Sequence, residues 1–75
     1  MSYAANFIEY IKNKGIRSFT HVDIVIVTGT TCPHSVLKYM KKSKAFTDFF
    51  RISKEEDEPN AHNSNTHKRY FIEVL

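Results

Sequence analysis

The sequence predicts an α+β fold, in which a core of three helices is followed by a C-terminal β-hairpin. One observation is a stripe of apolar residues at helical spacing near the N-terminus, formed by Ala4, Phe7, Ile8 and Ile11. Another is a pair of segments rich in aromatic and branched residues, 49–54 and 68–75, with a polar stretch between them. Because 75 residues can bury only one small core, we expect a single domain over residues 1–75 and no large enzyme fold.

The first helix is predicted over residues 3–14. Ser2 can cap its N-terminus, and Lys12 and Lys14 lie in its last turn, where cations meet the negative end of the helix dipole. Gly15 can adopt the left-handed conformation that ends a helix. Residues 16–19 then alternate between apolar and polar, which predicts a short extended piece.

A second helix is indicated by Thr20 and Asp23, whose spacing matches a capping box. Residues 22–27 are nearly all β-branched, however, and by propensity alone they favour a buried strand. A strand that leads into Gly29 and a helix would resemble the start of a phosphate-binding unit, but the loop has one glycine and lacks the Walker lysine and serine. We favour the helix and keep the strand as the alternative.

The third helix is expected to begin at a Thr31 cap, with Pro33 close to its start. Its apolar stripe consists of Pro33, Val36, Leu37 and Met40. Helical geometry then puts a small, polar and basic set of side chains on the opposite side: Thr31, Ser35, Lys38 and Lys42, with His34, Tyr39 and Lys41 on the flanks.

The predicted hairpin pairs residues 49–54 with residues 68–75 and has a long tip over 55–67. The tip is polar and has almost nothing to bury, so we expect it to be mobile. Alternation within the first strand puts Phe50 on one face of the sheet and Phe49 on the other.

The net charge of +3 is divided unevenly along the chain. Residues 1–54 contain nine basic and three acidic side chains, a net charge of +6, whereas residues 55–75 contain two basic and five acidic ones, a net charge of −3. A basic region raises the local concentration of polyanions such as nucleic acid, although scattered lysines also serve only to keep a small domain soluble. The acidic run 55–58 would repel phosphates if it lay against DNA.

Cys32 is the single cysteine, so no disulfide can form within the chain. The N-terminus lacks a basic region followed by an apolar run, and no stretch is long enough to cross a membrane. We therefore expect a cytoplasmic protein in a reducing compartment, with no membrane partner. Cys32 and His34 could join His62 and His67 in a metal site only if the hairpin folded back over the third helix, so we expect no metal site. A nucleophile pair of Cys32 and His34 would need an acid to orient the histidine, and none is apparent, so we do not expect an enzyme.

The order of helix, short strand, helix, turn with glycine, helix and hairpin resembles the winged helix-turn-helix family over nearly the whole chain. The resemblance rests on Phe7, Ile8 and Ile11, on residues 20–29, on residues 31–40 and on the hairpin strands. It implies a small sequence-selective protein that binds double-stranded DNA as a transcriptional regulator or accessory factor, without a cofactor. The third helix would enter the major groove, and the hairpin, or wing, would lie on the DNA backbone.

The side chains that this resemblance makes candidates for DNA binding are Thr31, His34, Ser35, Lys38, Tyr39, Lys42, Arg17, Lys68 and Arg69. No arginine or asparagine occurs on the outward side of the third helix, so the strongest bidentate readers of bases are absent there. Aromatic residues beyond the needs of the core suggest a homodimer interface or stacking on nucleic acid. The alternative function is a winged-helix module that binds a protein through its aromatic sheet face or acidic wing, and the sequence indicates no small-molecule ligand.

Overall fold

The computed structural model describes residues 2–57 and 68–75. These residues form an α+β domain with four helices and one three-stranded antiparallel sheet. In chain order the elements are α1 (Tyr3–Lys14), β1 (Ser18–Thr20), α2 (His21–Thr28), α3 (Pro33–Lys42), α4 (Lys44–Thr47), β2 (Phe50–Asp57) and β3 (Lys68–Val74).

Helix α1 has the bounds that the sequence predicts. The Ser2 hydroxyl accepts a hydrogen bond from the Ala5 amide at 3.1 Å, which satisfies one of the amides that a helix leaves unpaired at its start. Gly15 ends the helix with a φ of 64°, in the left-handed region that glycine adopts without strain. All four residues of the predicted apolar stripe are buried.

Residues 22–27 are helical, so the capping signal prevails over β-propensity. The Thr20 hydroxyl accepts from the Asp23 amide at 3.3 Å, and the Asp23 carboxylate accepts from the Thr20 amide at 2.9 Å. Within α2, Ile24 is fully buried, whereas Ile26 is 74% exposed. In a strand, residues two apart lie on the same face and would be buried to a similar extent, so the difference between Ile24 and Ile26 is typical of a helix.

Helix α3 begins at Pro33, and Thr31 is not its cap. The N-cap position belongs to Cys32, which makes no capping hydrogen bond with its side chain. The turn is held instead by Thr30, which is buried and whose hydroxyl accepts from the Cys32 amide at 3.0 Å. The hydroxyl of Thr28 in turn accepts from the Thr30 amide at 3.2 Å. Thr31 is exposed, because Thr30 is the residue that the turn directs inward.

A fourth helix, α4, is present in addition to the three predicted. It has only four residues, fewer than the window over which helical periodicity can be recognised in a sequence. Its packing residue is Phe46, which is 2% exposed and joins the core.

The strands occur in the order β1–β3–β2, and both pairings are antiparallel. A β-bulge at Ser53 interrupts the register between β2 and β3. Within β2, Phe50 is buried and Arg51 is exposed, as alternation requires. Phe49, which was predicted to lie in this strand, precedes it and is 53% exposed. Strand β2 extends through Asp57, so residues 55–57 of the predicted tip lie in the strand, and residues 58–67 lie outside the described part of the chain.

The core brings all the elements together around aromatic side chains. Phe7 contacts Phe19 edge to face, and Phe19 stacks on Tyr70, with ring centroids 5.2 and 5.4 Å apart. This row of rings joins α1 to β1 and β3. Among residues 2–57 and 68–75, no helix is both long and apolar enough to cross a membrane.

Candidate nucleic-acid interface

Helix α3 presents a basic surface because its apolar stripe is packed against α1 and α2. Val36, Leu37 and Met40 are buried, which orients the opposite side of the helix outward. The side chains on that outward side are exposed, as the sequence predicts: Ser35, Lys38 and Lys42. Lys38 and Lys42 form no ion pair with any described residue, so no carboxylate of that part of the chain offsets their charge.

One flank of α3 faces the sheet and contains His34. The His34 ring stacks on the ring of His21, at 4.2 Å between centroids and 25° between planes. His21 is buried at the start of α2, and its ring also contacts Tyr70 of β3 edge to face. The two histidines therefore connect α2 and α3 to the central strand, β3.

Lys41 adds a second contact on the same flank. Its Nζ atom lies 5.6 Å from the centroid of the Tyr70 ring, within the range of a cation–π interaction. The sequence identifies neither this contact nor the one between His21 and His34. Both contacts depend on the orientation of α3 against the sheet, which cannot be predicted from the spacing of residues along the sequence.

The phenol of Tyr70, which the His21 and Lys41 side chains contact, is affected by its surroundings. Burial raises the pKa of the Tyr70 phenol above the ordinary value of 10.0, and the nearby carboxylate of Glu55 raises it further. Both causes act in the same direction, because each disfavours the negative phenolate.

The other flank of α3 faces α1. Thr31, Tyr39 and Lys42 lie along a groove of about 670 Å³ between α3 and the first two turns of α1. Tyr39 is 73% exposed there. The Thr31 hydroxyl lies 3.8 Å from the Cys32 sulfur and makes no cap to the helix.

The hairpin residues Lys68 and Arg69 interact within the sheet. The Lys68 ammonium is 3.9 Å from the Glu55 carboxylate, and the Arg69 guanidinium donates to the Ser18 hydroxyl at 3.1 Å. Both side chains are partly buried. They lie at the tip end of the hairpin, opposite the last residues of β2, and each already has a polar partner in the protein.

Arg17 lies apart from the other candidates. It lines a shallow hollow at the carboxyl end of α1, together with Lys12 and Phe49, and no residue of α3 lines that hollow. The structure therefore groups five candidates on α3: His34, Ser35, Lys38, Tyr39 and Lys42. Thr31 lies in the turn before this helix, Lys68 and Arg69 lie in the neighbouring sheet, and Arg17 is separate from all of them.

Two carboxylates of β2, those of Glu55 and Glu56, lie beside lysines. Glu55 faces Lys68, as described, and the Glu56 carboxylate lies 2.8 Å from the Lys54 ammonium. Near the other end of the hairpin, Arg51 and Glu73 form an ion pair across the strands. The negative charge of Glu55 and Glu56 is therefore partly offset by neighbouring cations.

Two of the residues considered for a metal site or a nucleophile, Cys32 and His34, lie in the described chain. Cys32 is exposed, and His34 is stacked on His21. Residues 2–57 and 68–75 contain no group of three or more side chains suited to hold a metal, and His62 and His67 lie outside them.

Comparison of the chain with protein-family models, with curated proteins and with solved structures gave no match.

Proposed function

We propose that this chain is a winged helix-turn-helix protein that binds double-stranded DNA. Helix α3 enters the major groove, and the β2–β3 hairpin acts as the wing that lies on the adjacent backbone. The order of the elements supports this assignment, because a short strand precedes the two helices and pairs with the last strand of the hairpin.

The observation on which the proposal rests is the outward side of α3. Lys38 and Lys42 are exposed, lie one helical turn apart and have no ion-pair partner among the described residues. Lysines in this arrangement can neutralise successive phosphates, and the release of counterions from DNA then favours binding. Ser35 lies beside them and can donate to a phosphate oxygen or to the edge of a base.

The pairing of two carboxylates of β2 lowers the electrostatic cost of placing the wing close to DNA. Glu55 and Glu56 each lie beside a lysine, so their repulsion of phosphates is reduced. Lys68 and Arg69 then contribute by holding the hairpin in position and by adding positive potential near the backbone.

The function that this surface supports best is that of a small transcriptional regulator or accessory factor. Serine and lysine on α3 discriminate bases less strongly than bidentate arginine or asparagine would. We therefore expect modest sequence selectivity from each copy and a homodimer that doubles the footprint on DNA.

The alternative function, a protein-binding module, finds less support in the sheet. Phe71 is the aromatic side chain on the outer face of β3, and it is partly buried, with the Lys54 ammonium 5.8 Å from its ring. Tyr70 and Phe50 point into the core. An aromatic surface on the sheet is therefore small, and the acidic residues 55 and 56 are already paired.

The proposal is tested by the double substitution Lys38→Ala/Lys42→Ala. We expect DNA affinity to fall and the slope of log K against log salt to decrease by about two units, roughly one for each phosphate contact that is lost. Fluorescence anisotropy with a labelled duplex measures both quantities, and thermal unfolding checks that the variant remains folded.

The matched control is Lys12→Ala/Lys14→Ala, which removes the same charge from the carboxyl end of α1. This variant should retain most of the affinity and a nearly unchanged salt slope. If the two double variants lose affinity equally, binding follows net charge alone, and α3 is not the surface that contacts DNA.

A further inference from the structure

The groove between α1 and α3 has the dimensions of a small-molecule site. Its volume of about 670 Å³ lies within the range of roughly 300–1,000 Å³ that ligand pockets occupy. Ile8 and Val36 are buried and form its floor, whereas Tyr3 and Tyr39 are 53% and 73% exposed and form its edges. Ala5 lies on the α1 side, where its small side chain leaves the space open.

The polar groups of the groove indicate the charge of a ligand. Lys42 is the only charged side chain among the described residues that line it. Cys32 and Ser35 add a thiol and a hydroxyl along the α3 side. A ligand that fits this lining combines an apolar, flat body with a single negative charge.

We propose that this groove binds a small aromatic molecule that has a single carboxylate group. The ring lies over Ile8 and Val36 between the two tyrosines, and the carboxylate pairs with the Lys42 ammonium. A helix from a partner protein would bring several apolar anchors and flanking charges, and the one cation of this groove complements only one carboxylate.

Ligand binding would also affect the proposed DNA surface. Thr31, Ser35, Tyr39 and Lys42 belong both to the groove and to the side of α3 that faces DNA. A bound carboxylate would occupy Lys42 and reduce DNA affinity. This competition rests on the proposed function, whereas binding of the carboxylate itself does not.

The test is a calorimetric titration of the full chain with naphthoate, in the absence of DNA. The matched probe is naphthylmethylammonium, which has the same rings and the opposite charge. We expect saturable binding of one naphthoate per chain and at least about fivefold weaker binding of the cation. Occupancy should also slow alkylation of the exposed Cys32 thiol by iodoacetamide.

Two substitutions locate the ligand. Lys42→Met removes the charge and keeps an apolar stem, and it should weaken naphthoate binding by about fivefold. Ala5→Trp fills the groove and should abolish binding. The control Lys14→Met, at the far end of α1, should leave naphthoate affinity unchanged.

The proposal is overturned if naphthoate does not bind saturably, if the cation binds equally well, or if Lys42→Met and Ala5→Trp both leave the affinity unchanged. It is also overturned if the groove is the contact between two copies of the chain. In that case Ala5→Trp would dissociate a dimer in sedimentation experiments and naphthoate would not bind. Because the titration contains no DNA, its failure is distinct from a failure of DNA binding.

Discussion

Thr20 and Thr31 each precede a helix by sequence, but their hydroxyls act differently. Thr20 forms a reciprocal capping box with Asp23 at the start of α2. Thr31 is exposed, and α3 begins two residues later without a side-chain cap. The difference arises because Thr30 makes the hydrogen bond that holds the turn.

We predict that Thr20→Ala lowers the free energy of unfolding by about 1 kcal/mol, since the Asp23 amide loses its partner. Thr31→Ala, the matched control, should change it by less than about 0.5 kcal/mol. Urea unfolding measures both values. Equal losses for the two variants would show that Thr31 also caps a helix.

Tyr70 is a second residue whose environment has a measurable consequence. Its pKa is raised, first by burial and then by Glu55, so the folded protein keeps the phenol protonated to higher pH than the unfolded chain does. The stabilisation from this difference is fully present below the unfolded pKa of about 10 and is lost as pH rises through the folded pKa.

We therefore predict that the free energy of unfolding declines above about pH 10 more steeply in the wild type than in Tyr70→Phe, which has no phenol to titrate. Denaturant unfolding at a series of pH values provides the comparison, and the variant corrects for the titration of lysines. Parallel curves for the two proteins would contradict the assignment to Tyr70.

Residue contacts were predictable where they are local in sequence. The capping box joins residues three apart, and its residue types specify it. The stacking of His21 on His34 depends on the angle between α2 and α3, so the twelve residues between them contain no pattern that predicts it. The contact of Lys41 with Tyr70 joins α3 to β3 and could not be predicted either, because it depends on how these two elements pack.

At the scale of elements, α2 is the most informative case because residues 24–27 within it are all apolar. Only His21 and Ile24 are buried in this helix, whereas Val22, Val25 and Ile26 are between 40% and 74% exposed. The sequence could not establish this division, because a run of apolar residues has no polar position to mark its exposed face.

The helical state of this segment makes a specific prediction. Ile24→Ala should cost about 3 kcal/mol, because it leaves a cavity in the core, whereas Ile26→Ala should change stability by less than about 0.5 kcal/mol. Urea unfolding of the two variants measures the contrast. Similar losses would indicate a strand, in which residues two apart lie on the same face.

The elements that the sequence predicted best are those with a long periodic pattern. Helix α1 has the predicted bounds, since both its apolar stripe and its terminating glycine are strong signals. Helix α4 was missed because four residues hold no period, and the bulge at Ser53 was missed because it changes pairing without changing composition. Strand β2 continues through three acidic positions, two of which have a lysine partner: Glu55 pairs with Lys68 across the strands, and Glu56 pairs with Lys54 within β2.

At the scale of the whole molecule, the uneven charge becomes a spatial arrangement. In the described hairpin, Glu55, Glu56 and Glu73 each lie beside a basic side chain, whereas Lys38 and Lys42 on α3 form no ion pair with a described residue. These two lysines therefore add uncompensated positive charge to the surface that we propose contacts DNA.

The outward side of α3 was predictable because helical periodicity alone assigns Ser35, Lys38 and Lys42 to the face opposite the apolar stripe. The positions of Arg17 and Arg69 were not, because they depend on tertiary packing. Arg17 lies at the far end of α1, and Arg69 bonds to Ser18 across the sheet. The groove beside Tyr39 was also hidden, since it forms only where α1 and α3 meet.

The most direct test of DNA binding is the salt dependence of affinity for a random-sequence duplex. Anisotropy titrations at low and moderate salt should show saturable binding, with log K falling linearly against log salt by at least about two units per decade, the share expected from Lys38 and Lys42. No binding at low salt, or an affinity that does not change with salt, would contradict the account.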